Sequence, residues 1–221
     1  TAVDTAAIGI TKISVDGGAG DDVLRNGILS GVTLSGGAGD DKIYGGTSAE
    51  EIYGGEDNDT IVGRGGRDTF YGGAGDDVIK AGSSSLSTSQ NRVWVDGQGG
   101  NDTILTYNGA DTIYGGTGDD VIRARPGKDL LYGGTGNDVL DGGNSDDTLY
   151  GEAGNDTLQG KKGDDLAYGG AHDDVLVNAV VDEGDDTLEG GTGNDLFRLK
   201  GKSISELFEV QWVAADPDTA A

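Results

Sequence analysis

Sixteen aspartates recur along the chain, most of them at a spacing of nine residues, and each follows glycine and precedes an apolar residue by two positions. Position 50 holds glutamate in the same frame. Carboxylate oxygens are hard ligands of the kind that divalent cations such as calcium prefer. A carboxylate that recurs in this way indicates a repeated cation site and not one catalytic centre. The aspartates are Asp22, Asp41, Asp59, Asp68, Asp77, Asp102, Asp111, Asp120, Asp129, Asp138, Asp147, Asp156, Asp165, Asp174, Asp186 and Asp195.

The composition makes a conventional globular core difficult to build. Hydrophobic residues are only 34% of the chain, 44 of 221 residues are glycine, and the net charge is −25. A chain of this kind is expected to stay disordered unless cations neutralise its carboxylates. Nucleic acid and anionic membranes are not expected partners, because both require clustered Lys and Arg. The sequence shows no apolar run of membrane-spanning length, no signal peptide and no cysteine for disulfides or thiolate sites.

Each nine-residue repeat divides into six turn residues and three β-favouring residues. Glycine tolerates the positive φ angles of tight turns, and alternation points the middle residue of the last three inward. Two repeats complete a coil of eighteen residues, and coils stack as parallel strands. The sequence therefore predicts an all-β parallel β-roll with about ten coils. The inward residues are Leu24, Leu34, Ile43, Ile52, Ile61, Phe70, Ile79, Leu86, Val95, Ile104, Ile113, Ile122, Leu131, Leu140, Leu149, Leu158, Ala167, Leu176, Leu188 and Phe197.

Carboxylates eighteen residues apart share one edge of such a roll. Two bare carboxylates held about 5 Å apart would repel, so a cation is expected between them. Turn carbonyls can complete the six to eight oxygens that calcium requires. Pairs at this spacing give ten candidate sites, whose ions would cancel 20 of the 25 excess negative charges. Glu50 and the cations at positions 64, 125, 161 and 162 are expected to weaken individual sites.

The best-formed copies, at residues 17–25, 36–44, 72–80, 115–123, 133–141 and 190–198, resemble the nonapeptide of RTX (repeats-in-toxin, hemolysin-type) proteins. The resemblance covers about residues 8 to 198. It implies a right-handed parallel β-roll or β-helix solenoid that binds roughly ten calcium ions through the sixteen aspartates and turn carbonyls. It also implies a protein secreted by a Gram-negative bacterium through the type I secretion machinery, which folds on binding calcium outside the cell.

The chain is predicted to contain four segments. Residues 1–16 form an N-terminal lead-in coil, residues 17–198 the roll, residues 199–213 a C-terminal cap, and residues 214–221 a flexible tail. Within the roll, residues 81–96 lack the motif aspartate over two half-coils. We expect an irregular coil there, with a bulging Ser-rich loop and a gap in the column of carboxylates.

No catalytic constellation is visible, so the chain itself is not expected to be an enzyme. His172 is the single histidine, and it occupies a position that is normally glycine, so a turn substitution explains it. The parent protein could be a toxin, an adhesin or an exoenzyme. One alternative is the C-terminal roll of a secreted hydrolase, a protease or lipase, whose catalytic domain lies outside this chain. Another is an adhesive roll that binds a ligand itself.

Seven of the eight tyrosines close a repeat, and four of them, Tyr114, Tyr132, Tyr150 and Tyr168, lie eighteen residues apart. These four are predicted to stack as a ladder on one outer sheet face, which stabilises an exposed sheet. The functional alternative is a platform for an extracellular sugar or a partner protein.

Overall fold

The structure is a computed structural model that describes residues 12–27, 31–82, 92–178 and 184–199. Four predicted features lie outside these residues: the inward position of Leu86, the Ser-rich loop, the C-terminal cap and the flexible tail. Most of the lead-in segment lies outside them as well. The described segments contain no helix, and therefore none with the length and apolar character needed to cross a membrane.

Two parallel ten-stranded sheets form the fold, and the chain alternates between them. Odd-numbered strands form sheet A and even-numbered strands form sheet B, so each coil adds one strand to both. This confirms the predicted all-β parallel roll with two repeats per coil. The strands are β1 (Ile13–Ala19), β2 (Val23–Arg25), β3 (Val32–Ala38), β4 (Lys42–Tyr44), β5 (Glu51–Glu56), β6 (Thr60–Val62), β7 (Thr69–Ala74), β8 (Val78–Lys80), β9 (Trp94–Gly99), β10 (Thr103–Leu105), β11 (Thr112–Thr117), β12 (Val121–Pro126), β13 (Leu130–Thr135), β14 (Val139–Asn144), β15 (Thr148–Ala153), β16 (Thr157–Lys162), β17 (Leu166–Ala171), β18 (Val175–Asn178), β19 (Thr187–Thr192) and β20 (Leu196–Leu199).

A single column of apolar side chains forms the core between the two sheets. The inward residues from Leu24 to Leu176 that the structure describes are all buried, and Leu188 and Phe197 are partly buried against them. Each inward residue pairs with its equivalent one coil away, as Ile113 does with Leu131. The alternation in the sequence therefore locates the core correctly.

The irregular segment at 81–96 changes the spacing along the chain without breaking either sheet. Phe70 in β7 pairs with Val95 in β9, and Ile79 in β8 pairs with Ile104 in β10, each across 25 residues. Strand β8 lies in sheet B, and β9 lies next to β7 in sheet A. The chain therefore passes through only one half-coil between β8 and β9. The prediction of two successive half-coils at this point is therefore wrong. The strands on either side of the extra residues keep their pairing.

Turn conformation is set at the second and fourth positions of most repeats, where the backbone adopts positive φ. Glycine fits these positions best, but eight other residues also adopt positive φ there, among them Glu152 at 77° and His172 at 84°. Glu152 pairs with Gly134 on one side and Gly170 on the other. The neighbouring coils therefore hold the turn in this conformation even where the local residue disfavours it.

The outer face of sheet A carries the predicted ladder of aromatic rings. The rings of Tyr114, Tyr132, Tyr150 and Tyr168 stack with centroids 4.7 to 5.1 Å apart, which matches the spacing of adjacent strands. Trp94 extends the ladder, because its ring lies 5.2 Å from that of Tyr71 and 5.7 Å from that of Tyr114. The sequence analysis did not identify Trp94. It bridges a coil whose usual tyrosine position holds Asp96.

Candidate metal centres

The sixteen aspartates lie in two columns, one along each edge of the roll. Edge one consists of the turns that lead from sheet A to sheet B, and edge two of the turns that lead back. In the repeat frame, edge two also includes Val32, Glu50 and Val93 at the aspartate position. Edge one carries Asp22, Asp41, Asp59, Asp77, Asp102, Asp120, Asp138, Asp156, Asp174 and Asp195, and edge two carries Asp68, Asp111, Asp129, Asp147, Asp165 and Asp186.

A one-way ladder of hydrogen bonds joins the aspartates of each edge. The Oδ1 of each aspartate accepts a hydrogen bond from the backbone N–H of its equivalent one coil earlier, as Asp120 does from Asp102 at 2.7 Å. On edge one the ladder is continuous from Asp22 to Asp195. The ladder therefore also joins neighbouring aspartates that are not eighteen residues apart. The sequence analysis counted only pairs at a spacing of eighteen and so omitted these.

The expected gap in the carboxylate column is present on edge two and absent from edge one. On edge one, Asp77 N–H donates to Asp102 Oδ1 at 2.8 Å across the 25-residue spacing. On edge two, Val93 lies between the coils of Asp68 and Asp111, and its N–H donates to Asp111 Oδ1 at 2.9 Å. The prediction of a gap is therefore wrong for edge one, because β7 pairs with β9 and β8 pairs with β10 in register across the longer spacing.

The second carboxylate oxygen of most column aspartates is buried without a hydrogen-bond partner. An ionised oxygen withdrawn from water in this way is costly unless a cation or donor meets it. Within the described segments, no three His, Cys, Asp or Glu side chains converge on one point. Any cation here must therefore draw on backbone oxygens too. The affected atoms are the Oδ2 of Asp41, Asp59, Asp68, Asp77, Asp102, Asp111, Asp120, Asp129, Asp138, Asp147, Asp156 and Asp174.

Backbone carbonyls converge with these oxygens at the first glycine of each edge-one turn. A Cβ placed on Gly115 would meet both Asp120 Oδ2 and the carbonyl oxygen of Gly133 in the next coil. The same two kinds of oxygen lie within 2.8 Å of the Cβ position in the turns that begin at Gly17, Gly36, Gly54, Gly72, Gly97, Gly115, Gly133, Gly151 and Gly169. We call this arrangement an oxygen cradle. Carboxylate and carbonyl oxygens that converge on one point are the kinds of donor that calcium takes.

Burial shifts the acidity of the column carboxylates in one direction. Loss of hydration raises the pKa of Asp120 to about 7, against a stabilising hydrogen bond from Asp102 N–H, and repulsion by the neighbouring carboxylates raises it further. On edge two, burial raises the pKa of Asp147 to about 9. Without a cation, these groups would hold protons near neutral pH. Since a divalent cation favours the ionised form, it would replace those protons.

Glu50 differs from the aspartates because protein groups bind both of its carboxylate oxygens. Its Oε1 accepts a hydrogen bond from Asn26 Nδ2, and its Oε2 accepts one from Gly46 N–H, both at 3.0 Å. The extra methylene of glutamate lets the carboxylate reach these donors. The sequence analysis expected Glu50 to weaken its site, and the structure shows which donors its carboxylate meets.

A second ladder, which the sequence analysis missed, runs along the exposed side of edge one. The residue before each motif aspartate is Asp or Asn, and its Oδ1 accepts a backbone N–H from a neighbouring coil. Asn101 Oδ1 accepts from Asp119 N–H at 2.8 Å, and Asp119 Oδ1 accepts from Asn137 N–H at 2.7 Å. The recurring Asp or Asn before each motif aspartate was the signal in the sequence from which this ladder could have been predicted. His172 lies nearby on the exposed turn, where its Nδ1 is 2.8 Å from the carbonyl oxygen of Ala171.

The acidic turns stack on one another, and backbone carbonyls converge with their carboxylates. These features define a roll with a repeated site suited to hard cations. The family model of the RTX calcium-binding nonapeptide repeat matches residues 14–28, 33–61, 53–84, 96–131, 123–158, 150–178 and 180–198. The chain belongs to this family. RTX repeats bind calcium and are typical of secreted bacterial proteins. A search of curated proteins found no significant match to the chain.

Proposed function

We propose that this chain is a calcium-triggered folding module, in which calcium bound between neighbouring turns converts a self-repelling acidic chain into the stacked roll. The sixteen column aspartates supply the carboxylates, and the turn carbonyls supply the remaining oxygens. The module has no catalytic role of its own. It would serve a toxin, an adhesin or an exoenzyme.

One observation carries the proposal: the column of buried Oδ2 atoms that no protein donor meets. In most folds a buried carboxylate is paired or hydrogen-bonded through both oxygens. Here the same oxygen is left without a protein partner coil after coil, and on edge one a carbonyl from the next coil lies beside it. A divalent ion satisfies both oxygens and cancels charge in a chain of net charge −25.

Calcium would control folding by mass action. Each ion that binds only the folded roll stabilises it by RT ln(1 + [Ca]/Kd), about 2.7 kcal/mol when calcium is a hundredfold above the Kd. Several such sites in one cooperative stack make folding steeply dependent on calcium. The chain would therefore remain unfolded in the calcium-poor cytosol and fold in the calcium-rich medium outside the cell.

Far-ultraviolet circular dichroism during a calcium titration, followed by excess chelator, tests the proposal. We expect the strand signal to appear with calcium, to vanish with chelator, and to return when calcium is restored. Magnesium at equal concentration is the control, because it demands a small octahedral site and loses water reluctantly. At about pH 8, a strand signal that persists in excess chelator would contradict calcium-dependent folding.

Export through a type I channel belongs to the same proposal, supported by the secreted character of the family. It predicts that the gene product appears in the medium of a Gram-negative host with an intact channel and is retained when the channel is deleted. Equal amounts in the two media would refute this step and leave the calcium proposal standing.

A further inference from the structure

We infer that three turns on edge two hold no calcium, because protein groups there occupy either a ligand or the space that an ion would use. These turns end at Glu50, Asp68 and Asp111, and we call them the closed stretch. The inference rests on the proposed calcium function and removes Asp68 and Asp111 from the sixteen ligands proposed above. The two edges would then carry different numbers of ions, with edge one loaded along its whole length.

Edge one supplies the standard for comparison. Each of its nine turns from Gly17 to Gly169 combines glycine, a motif aspartate and the carbonyl of the next coil in one oxygen cradle. Its turns contain neither Lys nor Arg. Edge two, in contrast, places Arg64 and Arg67 in the closed stretch. The chain supplies fixed cations only along the edge where the cradles are incomplete.

At the first closed turn, the carboxylate is occupied by the protein. Glu50 receives hydrogen bonds from Asn26 Nδ2 and Gly46 N–H at 3.0 Å, one on each oxygen. The Cβ position of Gly45 is 2.8 Å from the carbonyl oxygen of Gly63, but the Glu50 Oε2 lies 3.3 Å away. Calcium would have to break both hydrogen bonds to gain this ligand.

At the second closed turn, an aromatic ring fills the cradle. The atoms nearest the Cβ position of Gly63 are carbons of the Phe70 ring, and Asp68 Oδ2 lies farther away at 3.2 Å. Phe70 is fully buried in the core column. An apolar ring at this point removes a place where oxygen ligands would otherwise meet.

At the third closed turn, a hydroxyl group occupies the carbonyl ligand. Thr106 takes the glycine position of this turn, and its Oγ1 donates to the carbonyl oxygen of Ala124 at 2.9 Å. That carbonyl is the equivalent of the cradle carbonyl on edge one. The threonine hydroxyl therefore bonds the oxygen that an ion would use.

Two measurements test the closed stretch. A crystal of the calcium-loaded chain, measured for anomalous scattering, should show ion peaks along edge one and none in the edge-two turns that end at Glu50, Asp68 and Asp111. Native mass spectrometry of Glu50→Asp should show one more bound calcium than wild type, because the shorter side chain leaves Asn26 and faces the Gly63 carbonyl. Thr106→Gly should also add one ion. Glu51→Asp is the matched control, since Glu51 lies on the outer face beside Tyr53, and its ion count should not change.

Each outcome decides between the two proposals. A wild-type chain that binds no calcium would refute the proposed function. A wild-type chain with calcium on both edges, including the closed stretch, would overturn only the inference made here. The inference also fails if Glu50→Asp and Thr106→Gly both fold and keep the wild-type ion count.

Discussion

The substitution Asp120→Asn tests whether Asp120 is a metal ligand or only a buried acid. Asparagine keeps the volume of the side chain and an Oδ1 that can accept the hydrogen bond from Asp102 N–H. It removes only the charge and one carboxylate oxygen, the buried Oδ2 that has no protein partner. The substitution therefore probes the cation and leaves the backbone ladder in place.

The expected effect has opposite signs with and without a bound cation. Asp120 borders two intercoil gaps, those shared with Asp102 and Asp138, so loss of both ions at a hundredfold excess of calcium over the Kd costs about 5 kcal/mol. Without a cation, the folded chain bears the penalty of a carboxylate whose pKa is raised by burial to about 7. At about pH 8, removal of that charge would stabilise the fold by a few kcal/mol at most, because each pKa unit is worth about 1.4 kcal/mol before solvent screening.

Urea unfolding at saturating calcium and about pH 8 measures the difference. We expect Asp120→Asn to unfold at a clearly lower urea concentration than wild type. Asp119→Asn is the matched control, since Asp119 is exposed and its Oδ1 accepts from Asn137; it should change the free energy of unfolding by less than about 0.5 kcal/mol. If Asp120→Asn were as stable as wild type, or more stable, the column aspartates would not be metal ligands.

Three further predictions follow from the same geometry. Gly115→Ala should destabilise the roll and weaken calcium binding, because its Cβ would fill an oxygen cradle, whereas Gly27→Ala, with no atom within 4 Å of its Cβ position, should unfold like wild type in urea. Tyr132→Ala removes two ring stacks, at 4.7 and 5.0 Å, and should cost about 1–3 kcal/mol, while Tyr132→Phe should lose little; equal losses would show that the rings do not stabilise the sheet. In excess chelator, strand content should rise as pH falls from about 8 to about 5. The reason is that burial raises the pKa of Asp120 to about 7 and that of Asp68 to about 8, so the folded state binds more protons than the unfolded state. A circular dichroism signal that does not change between about pH 8 and about pH 5 would contradict these raised pKa values.

The core column and most of the aspartate columns could be predicted from the sequence because both follow the nine-residue period. Alternation within three residues decides which side chain faces inward, and that local rule holds from Leu24 to Leu176. The stacking of Tyr114 and Tyr132 follows from the same period. These features need only the register of one coil on the next.

Other features escaped the sequence analysis because spacing along the chain differs from spacing in the stack. The 25-residue separation of Asp77 and Asp102 looks like a lost repeat, but the two turns are adjacent in the stack. Trp94 enters the aromatic ladder from a neighbouring position, since the Asp96 side chain is too short to fill it. The occupied carboxylate of Glu50 depends on Asn26, which is 24 residues away, a separation that the eighteen-residue coil does not predict.

Equivalent strand pairing in successive coils has a consequence for how such a protein can change length. Thr112 meets Leu130 in the same register in which Leu130 meets Thr148, so an eighteen-residue block could be duplicated or deleted without rebuilding either terminus. Each added block would lengthen the rod by one strand spacing, about 4.8 Å. The module is thus suited to serve as a spacer whose reach is adjusted in small uniform steps by gene duplication.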